Sequence, residues 1–317
     1  MSERTTGTGL GLALISAATF GTAGTFASSL LDAGWSPAAA VTARITIAAL
    51  LLTTPALLRA RGSWPLIRAN LGTIAVFGLV AVALCQLCYF NAVSRMSVSV
   101  ALLLEYLGVV LVVGWMWLRH GHRPRRLTVT GAALAIGGLV LVLDVTGGAH
   151  LDPIGVMWGL LAAVGLALYF VVSASADERV PPIVIAWGGM VVGAATFAVL
   201  GAIGVLHLHA STSDVTFAHH QISWVVPVIG VSFVAAAIAY VAGIAGTRLL
   251  GAKVASFVGL TEVLFAAFFA WLFLGELPAA IQIAGGVLVI AGVALVRLDE
   301  LRGGELVARE PELSPAA

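Results

Sequence analysis

Three ionisable side chains in the middle of long apolar stretches are the residues of this sequence best suited to chemistry. Arg44, Glu105 and Glu262 each have apolar sequence on both sides. An ionised side chain at the centre of a bilayer costs about 2.5–3.5 kcal/mol on insertion scales, so such residues usually face a protein interior or a water-filled cavity. Together they could bind a zwitterionic or charged solute, and a carboxylate could take up a proton. The alternative is a structural Arg–Glu ion pair that holds two helices in register.

Uncharged polar and aromatic residues recur at helical spacing around these three. Thr22, Thr25 and Ser29 form one stripe, and Trp158 shares a helix face with Tyr169. Aromatic residues near a bilayer midplane are not interfacial anchors, so they either line a cavity or pack between helices. The candidate substrate-binding or coupling residues are Arg44, Glu105, Glu262, Gln86, Tyr89, Thr25, Tyr106, Trp158, Tyr169 and Tyr240.

Other reactive residue types do not form a recognisable centre. Cys85 and Cys88 share a helix face within an apolar run, where packing accounts for two small polarizable side chains. A polar segment contains several histidines without a second ligand set, which favours a solvated loop over a metal site. Its candidate ligands are His207, His209, His219, His220 and Asp214. The sequence therefore predicts no metal, no cofactor and no catalytic residue.

The composition requires a lipid environment for most of the chain. Of the 317 residues, 60% are hydrophobic and 10% are charged, whereas soluble domains have about 25% charged residues. This excludes a soluble enzyme, and the net charge of +1 provides no basic surface for nucleic acid. Ten windows have the length and apolar character of membrane spans. They are residues 8–30, 37–58, 70–92, 97–118, 127–144, 153–175, 183–206, 223–247, 252–274 and 278–298.

The basic residues predict the orientation of these spans. Placing both termini in the cytoplasm puts 14 of the 16 Lys and Arg residues on the cytoplasmic side, and leaves Arg95 outside and Arg44 within a span. We expect the first span to remain uncleaved, because only Arg4 precedes it and its apolar stretch exceeds that of a typical signal peptide.

The two halves of the chain resemble each other. A shift of 144 residues aligns Gly21 with Gly165, and Glu105 falls near the position of Glu262. Because each half has five spans, the halves must cross the membrane in opposite directions, an arrangement typical of alternating-access transporters. The predicted units are residues 8–145 and 152–298, followed by a charged tail, residues 299–317, that we expect to be disordered.

Several motifs resemble the EamA group of the drug/metabolite transporter superfamily. They are the segments Phe20–Leu52, Ala101–Val113 and Lys253–Pro278, the last with a Leu-Gly-Glu ending at Leu274–Glu276. The resemblance implies a ten-helix inner-membrane carrier in which helices one to four and six to nine surround a cavity. Arg44, Glu105 and Glu262 match positions that many members conserve in type, whereas Val109 and Val263 stand where members commonly have proline.

The sequence therefore predicts an all-α integral membrane protein with ten transmembrane helices in two inverted five-helix repeats. Its expected function is export of a small amino-acid-like metabolite, because the run LEYLG at residues 104–108 resembles the threonine/homoserine exporter branch. Protons are the candidate coupling ion, with Glu105 as the group that exchanges them. An importer or a broad drug extruder of the same fold is the alternative, and a membrane-embedded enzyme or scaffold is a remote one. The oligomeric state is left open.

Overall fold

The chain is almost entirely helical in a computed structural model that describes residues 3–96, 98–121, 123–144, 152–218, 220–275 and 277–309. The α-helices are α1 (Glu3–Gly21), α2 (Ala23–Asp32), α3 (Pro37–Ala60), α4 (Trp64–Ala69), α5 (Leu71–Val76), α6 (Cys85–Val93), α7 (Val98–Tyr106), α8 (Gly108–His120), α9 (Arg126–Val142), α10 (Pro153–Ser175), α11 (Pro182–Ala202), α12 (Val225–Ser232), α13 (Ala239–Gly259), α14 (Glu262–Phe269) and α15 (Ala280–Arg309). Three π-helical segments, Phe77–Leu84, Phe233–Ile238 and Ala270–Leu274, continue helices, and two short strands, β1 (Val215–Phe217) and β2 (His220–Ile222), form a hairpin.

Eight helices in the described part of the chain are long and apolar enough to cross a membrane. They are Thr6–Asp32, Pro37–Ala60, Leu71–Val93, Val98–Arg119, Pro153–Ser175, Pro182–Ala202, Val225–Gly259 and Ala280–Arg302. Two shorter apolar helices, Arg126–Val142 and Glu262–Phe273, lie where the sequence predicts further spans. Gly251 interrupts the 35-residue segment Val225–Gly259 with φ 78° and ψ 159°, a conformation that glycine adopts without steric cost. The prediction of a multi-pass, all-helical membrane protein is confirmed.

Local sequence signals explain where several of these helices begin and end. Ser36 accepts a hydrogen bond from the Ala39 amide at 3.2 Å, and Pro37 occupies the first helical position of α3. Asp152 caps α10 in the same way, by accepting from the Ile154 amide at 3.3 Å. Gly121 ends α8 in the left-handed region, with φ 70°, where a β-carbon would be unfavourable. These caps satisfy backbone groups that a helix end would otherwise leave unpaired.

Glycines allow α9 and α15 to pack with their backbones in close contact. A β-carbon added to Gly138 would lie 2.5 Å from the Gly285 carbonyl oxygen, and one added to Gly131 would lie 2.8 Å from that of Gly292. In lipid, where apolar side chains gain little by leaving the solvent, such close approach supplies the helix–helix attraction. Because Gly131 faces Gly292 and Gly138 faces Gly285, the two helices run antiparallel.

The remaining helices pack in a reciprocal pattern. Helix α1 packs along α13 and α14, whereas α10 packs along α6, α7 and α8. Helix α3 packs against α11 and α12, and α11 in turn packs against α5 and the π-helical segment Phe77–Leu84. The helices therefore enclose a central region between the first and second halves of the chain.

The β-hairpin lies over one end of the helices. Phe217 stacks on Phe26 of α2, with ring centroids 5.3 Å apart, and also contacts Phe273 at 5.4 Å. The Trp35 indole donates to the Ser211 carbonyl oxygen at 2.7 Å, which ties the segment before the hairpin to the start of α3. The sequence predicts this segment only as a solvated loop. His219 lies outside the described residues, and the described residues contain no cluster of three or more potential metal ligands.

The start of the charged tail is structured, which corrects the expectation of disorder from residue 299. Helix α15 continues to Arg309, and Asp299 is 3% exposed. Its carboxylate accepts from the Thr128 hydroxyl at 2.6 Å and lies 3.8 Å from the Lys253 ammonium, which also pairs with Glu300. A buried carboxylate needs such partners, and Thr128 on α9 and Lys253 on α13 thereby connect α15 to two other helices. Residues 310–317 lie outside the described residues.

Replacing Thr128 by valine is expected to destabilise the fold by about 1.5–3 kcal/mol, because Asp299 would lose a hydrogen bond to a charged group. Thermal unfolding of purified protein in detergent measures this change. Thr130→Val is the matched control, since the Thr130 hydroxyl is exposed and bonds only to carbonyl oxygens of its own helix. Equal melting temperatures for the two variants would show that the Thr128–Asp299 contact contributes nothing.

Candidate functional site

A cavity of about 810 Å³ lies in the centre of the helical bundle. Its walls include Arg44 from α3, Glu105 from α7 and Glu262 from α14. The three ionisable residues therefore face one shared interior space. Nine of the ten residues predicted from the sequence line this cavity, namely Thr25, Arg44, Gln86, Tyr89, Glu105, Tyr106, Tyr169, Tyr240 and Glu262.

The tenth predicted residue, Trp158, does not line the cavity. It packs beside Tyr89 against an apolar cluster that includes Ala92, Met96 and Val100. Trp158 lies near the beginning of α10, three turns before Tyr169, where the helix contacts the end of α6 and the start of α7. The two aromatic residues were predicted to share a helix face, but Trp158 packs in an apolar cluster whereas Tyr169 lines the cavity.

Two other residues of the predicted stripe on α2 also turn away from the cavity. The Thr22 hydroxyl donates to the Thr19 carbonyl oxygen at 2.7 Å, and the Ser29 hydroxyl donates to that of Phe26 at 2.9 Å. Hydroxyl groups in apolar helices often satisfy themselves on their own backbone in this way. The Thr25 hydroxyl is bonded in the same way, to the Thr22 carbonyl oxygen at 2.8 Å, yet of this stripe only Thr25 lines the cavity.

Arg44 is held by a backbone carbonyl and an aromatic ring. Its Nη2 donates to the Ala235 carbonyl oxygen at 2.5 Å, and its guanidinium carbon lies 5.7 Å from the centre of the Phe20 ring. Ala235 belongs to the π-helical segment Phe233–Ile238, and such segments often occur at functional sites. The ion pairs between described residues do not include Arg44, so the Arg–Glu pair that the sequence allowed is not formed in this structure.

Glu105 contacts a cysteine. The Cys85 thiol lies 3.4 Å from Glu105 Oε1 and 3.5 Å from the Ala162 carbonyl oxygen. Gly165 permits this approach, because a β-carbon there would lie 2.6 Å from the Cys85 β-carbon. Cys85 also lines the cavity, so packing alone is an incomplete account of this residue. In the sequence, Cys85 stands out only as a residue one helical turn before Tyr89. Its contact with Glu105 could not be predicted, because Glu105 is 20 residues away on another helix.

Both carboxylates lie next to interruptions in their helices. Glu105 is the penultimate residue of α7, and Leu107 separates this helix from α8. Glu262 is the first residue of α14, where the positive end of the helix dipole favours a carboxylate. A β-carbon at Gly21 would lie 3.1 Å from the Glu262 carbonyl oxygen, so α1 packs tightly against this turn.

An aromatic cluster occupies the deep part of the cavity. The Tyr240 ring meets Phe20 at 5.1 Å and Tyr169 at 5.7 Å, both edge to face. Phe77 completes the cluster by packing against Tyr169, with the two ring centroids 5.7 Å apart. Ser16 and Phe20 line the cavity although the sequence did not single them out. In the sequence, the one feature that could have indicated them is that they share a face of α1 with Ala13, which also lines the cavity.

The cavity is open at one end and closed at the other. Lining residues near Val98 and Gln86 are exposed or half-buried, and so are both carboxylates and Arg44. At the opposite end the lining residues Ala13, Thr247 and Ala255 are only 6%, 1% and 3% exposed. Solvent therefore reaches the charged residues from one side of the bundle.

The chain resembles uncharacterized transporters in sequence and a solved crystal structure in fold. The chain is 27% identical over 226 residues to an uncharacterized transporter of Archaeoglobus fulgidus, which covers 70% of this chain and 74% of the relative. It is 25% identical over 229 residues to one of Clostridium kluyveri, covering 70% and 71%. A solved crystal structure matches 93% of this chain and 98% of its own, with a TM-score of 0.74 at 20% identity, which shows the shared fold.

The sequence pattern of the EamA-like transporter family matches residues 7–144 and 153–298. These two segments cover both halves of the chain and contain all three charged residues of the cavity. The family and the relatives' names indicate a transporter rather than an enzyme. The protein belongs to the EamA-like transporter family.

Proposed function

We propose that the protein is a secondary transporter that exports a small amino-acid-like metabolite, of the threonine or homoserine type, across the inner membrane by alternating access. The observation that carries this proposal is the half-open cavity in which Arg44, Glu105 and Glu262 face the same space. A zwitterionic solute carries a negative charge that complements the arginine and a positive charge that complements a glutamate. Its carboxylate would meet Arg44, and its ammonium group would meet Glu105 or Glu262.

The packing supports ten spans arranged as two inverted repeats. The segment Val225–Gly259 divides at Gly251 into the eighth span and the beginning of the ninth, which continues through α14. With α9 as the fifth span, the total is ten. Span one packs on spans eight and nine, and span six packs on spans three and four. The contacts of Gly131 with Gly292 and of Gly138 with Gly285 are reciprocal, as expected for equivalent residues related by a two-fold axis. This symmetry is typical of transporters whose substrate site lies between two repeats.

The distribution of basic residues supports a cytoplasmic location for both termini. Arg95 is the one basic residue near the open end among those described, and it pairs with Asp152 at 3.3 Å. Arg59 and Arg119 lie in the last turns of α3 and α8, and Arg179 lies just after α10, at the ends of these helices nearest the closed side. Because cytoplasmic loops are enriched in Lys and Arg, the cavity would open to the outside in this conformation.

A broad drug or metabolite extruder is the second candidate, and the aromatic lining favours it. Phe20, Tyr89, Phe90 and Tyr240 give the cavity large apolar surfaces that need no specific hydrogen bond. A growth screen distinguishes the candidates and the direction of transport. Cells that overproduce the protein should resist threonine, homoserine or their toxic analogues if it exports amino acids, and unrelated lipophilic drugs if it is an extruder. Increased sensitivity to one compound would instead indicate import.

Replacing Glu105 by glutamine is expected to remove the dependence of transport on a pH gradient. The amide keeps the shape of the carboxylate and its contact with Cys85, but it cannot bind and release a proton. Efflux of labelled threonine from proteoliposomes, with and without an imposed gradient, measures the effect. We expect stimulation by the gradient to fall at least tenfold.

Asp177→Asn is the control for this measurement, because Asp177 is a half-buried carboxylate outside the cavity that pairs with the exposed Arg179 at 2.8 Å. It should leave the gradient dependence intact. Equal stimulation of wild type and Glu105→Gln would rule out proton coupling through Glu105.

A further inference from the structure

Buried polar atoms without a hydrogen-bond partner gather in one seam of the molecule. Among described residues, the buried side-chain nitrogen and oxygen atoms without a partner belong to Tyr169, Ser173 and Arg248. Tyr169 and Ser173 are one turn apart on the same face of α10, and Arg248 lies on α13, against which α10 packs. Native proteins leave few buried polar groups unpaired. A concentration of them between two helices therefore requires an explanation.

The seam is nevertheless tightly closed in this structure. The Tyr169 hydroxyl lies directly against Gly243, and a β-carbon at Gly259 would lie 3.0 Å from Phe170. Ser173 is completely buried. Arg248 donates through Nη1 to the Val180 carbonyl oxygen at 2.6 Å, whereas its Nε and Nη2 have no acceptor. The four unpartnered atoms are thus shielded from water, although they belong to groups that water would hydrogen-bond.

The corresponding seam in the first half of the chain is open. A shift of 144 residues relates Thr25 to Tyr169 and Ser29 to Ser173, and Tyr89 falls near the position of Tyr240. Thr25 and Tyr89 both line the cavity, and Tyr89 is half-buried rather than buried. Helix α10 packs extensively along α13, whereas α2 and α6 have no comparable contact in the described part of the chain. Equivalent helices are therefore apart in one half and together in the other.

We propose that the seam between α10 and α13 is the second access path of the transporter, lined by Tyr169, Ser173 and Arg248 when it opens. This inference rests on the proposed function, because it requires two inverted halves that exchange conformations. On opening, the unpaired groups gain water or substrate oxygens as partners. The free Nε–H and Nη2–H of Arg248 lie side by side in the geometry that binds a carboxylate. The path therefore suits a solute that carries a carboxylate.

The unpaired groups also raise the free energy of the closed seam, which favours its opening. Their cost in the closed state offsets part of the apolar contact between the helices, which keeps two conformations close enough in free energy to exchange. A seam with only apolar residues would favour permanent closure.

Cysteine accessibility tests the path without knowledge of the substrate. Ser173→Cys is made in a Cys85→Ser, Cys88→Ser background, in the full chain, and is treated with a charged methanethiosulfonate in inside-out and right-side-out vesicles. Such a reagent modifies thiolates in contact with water. We expect reaction from the cytoplasmic side, on which Arg248 lies, and therefore in inside-out vesicles. Ser232→Cys is the buried control, since Ser232 is 0% exposed with its hydroxyl bonded to Val228. A rate for Ser173→Cys no higher than that of the control would overturn the proposal.

Two further substitutions are expected to change the labelling rate of Ser173→Cys in opposite directions. Tyr169→Phe removes one unpaired hydroxyl from the closed seam and should slow the labelling about tenfold, equivalent to about 1.4 kcal/mol. Gly243→Ala adds a methyl group against Tyr169 and should accelerate it. Unchanged labelling in both variants would contradict the proposal. Absent labelling, with intact threonine efflux by the wild-type chain, would refute the path alone. Absence of any amino-acid efflux by the wild-type chain would refute the proposed function.

Discussion

Replacing Arg44 by alanine is expected to lower transport of labelled threonine in proteoliposomes by about 100-fold or more. Arg44 is the one cationic side chain among the described residues that line the cavity. In the proposed complex Arg44 pairs with the substrate carboxylate, and removing one partner of a buried, hydrogen-bonded charge pair costs about 2–5 kcal/mol. Each 1.4 kcal/mol corresponds to about a factor of ten. The substitution also leaves the Ala235 carbonyl oxygen without its guanidinium donor.

Arg44→Lys separates the two contributions of this residue. Lysine keeps the positive charge but not the planar fork that can bind Ala235 and a substrate carboxylate together, so we expect partial activity with a raised KM. Melting temperature and monodispersity in detergent report whether the variants fold. Well-folded Arg44→Ala protein with wild-type transport would show that the guanidinium does not contact the substrate.

Replacing Gly138 by alanine is expected to produce a large loss of stability for the addition of a single methyl group. The new β-carbon would lie 2.5 Å from the Gly285 carbonyl oxygen and 2.7 Å from the Val289 amide nitrogen. Both are backbone atoms, so α9 and α15 must move apart. Overpacking typically costs about 1–3 kcal/mol, and here the close contact also supplies the attraction between the helices. Thermal unfolding in detergent measures the loss.

The neighbouring glycine provides a matched control for this change. A β-carbon added to Gly137 meets no atom within 4 Å, and alanine is the better helix former. Gly137→Ala should therefore be neutral or slightly stabilising. If Gly138→Ala and Gly137→Ala melt at the same temperature, α9 and α15 do not pack through these glycines.

The hydrophobic composition was sufficient to predict an all-helical membrane protein and the positions of most helices. The positions of Arg44, Glu105 and Glu262 on a central cavity also followed from the sequence, because charged residues in the middle of a span almost always face the bundle interior or a water-filled cavity. The role of these residues in transport stays a prediction.

Contacts between helices were less accessible from the sequence. Helical spacing placed Trp158 and Tyr169 on one face, yet the two residues have different neighbours because α10 meets α6 and α7 at its beginning and α13 further on. Spacing also favoured Thr22 and Ser29, whose hydroxyls bond to their own helix. The partners of Arg44 and Glu105, which are Ala235 and Cys85, depend on how neighbouring helices are rotated and how closely they approach.

The sequence by itself determined the solvent, the helical architecture, the family and which charged residues must avoid lipid. Each of these depends on local composition or on residues within a single helix. Only the tertiary structure decided which side chains meet in the cavity, which end of the cavity is open, and where buried polar groups remain unpaired. Those features arise between helices that are far apart in the chain, since helix crossing and rotation result from the packing of the whole bundle.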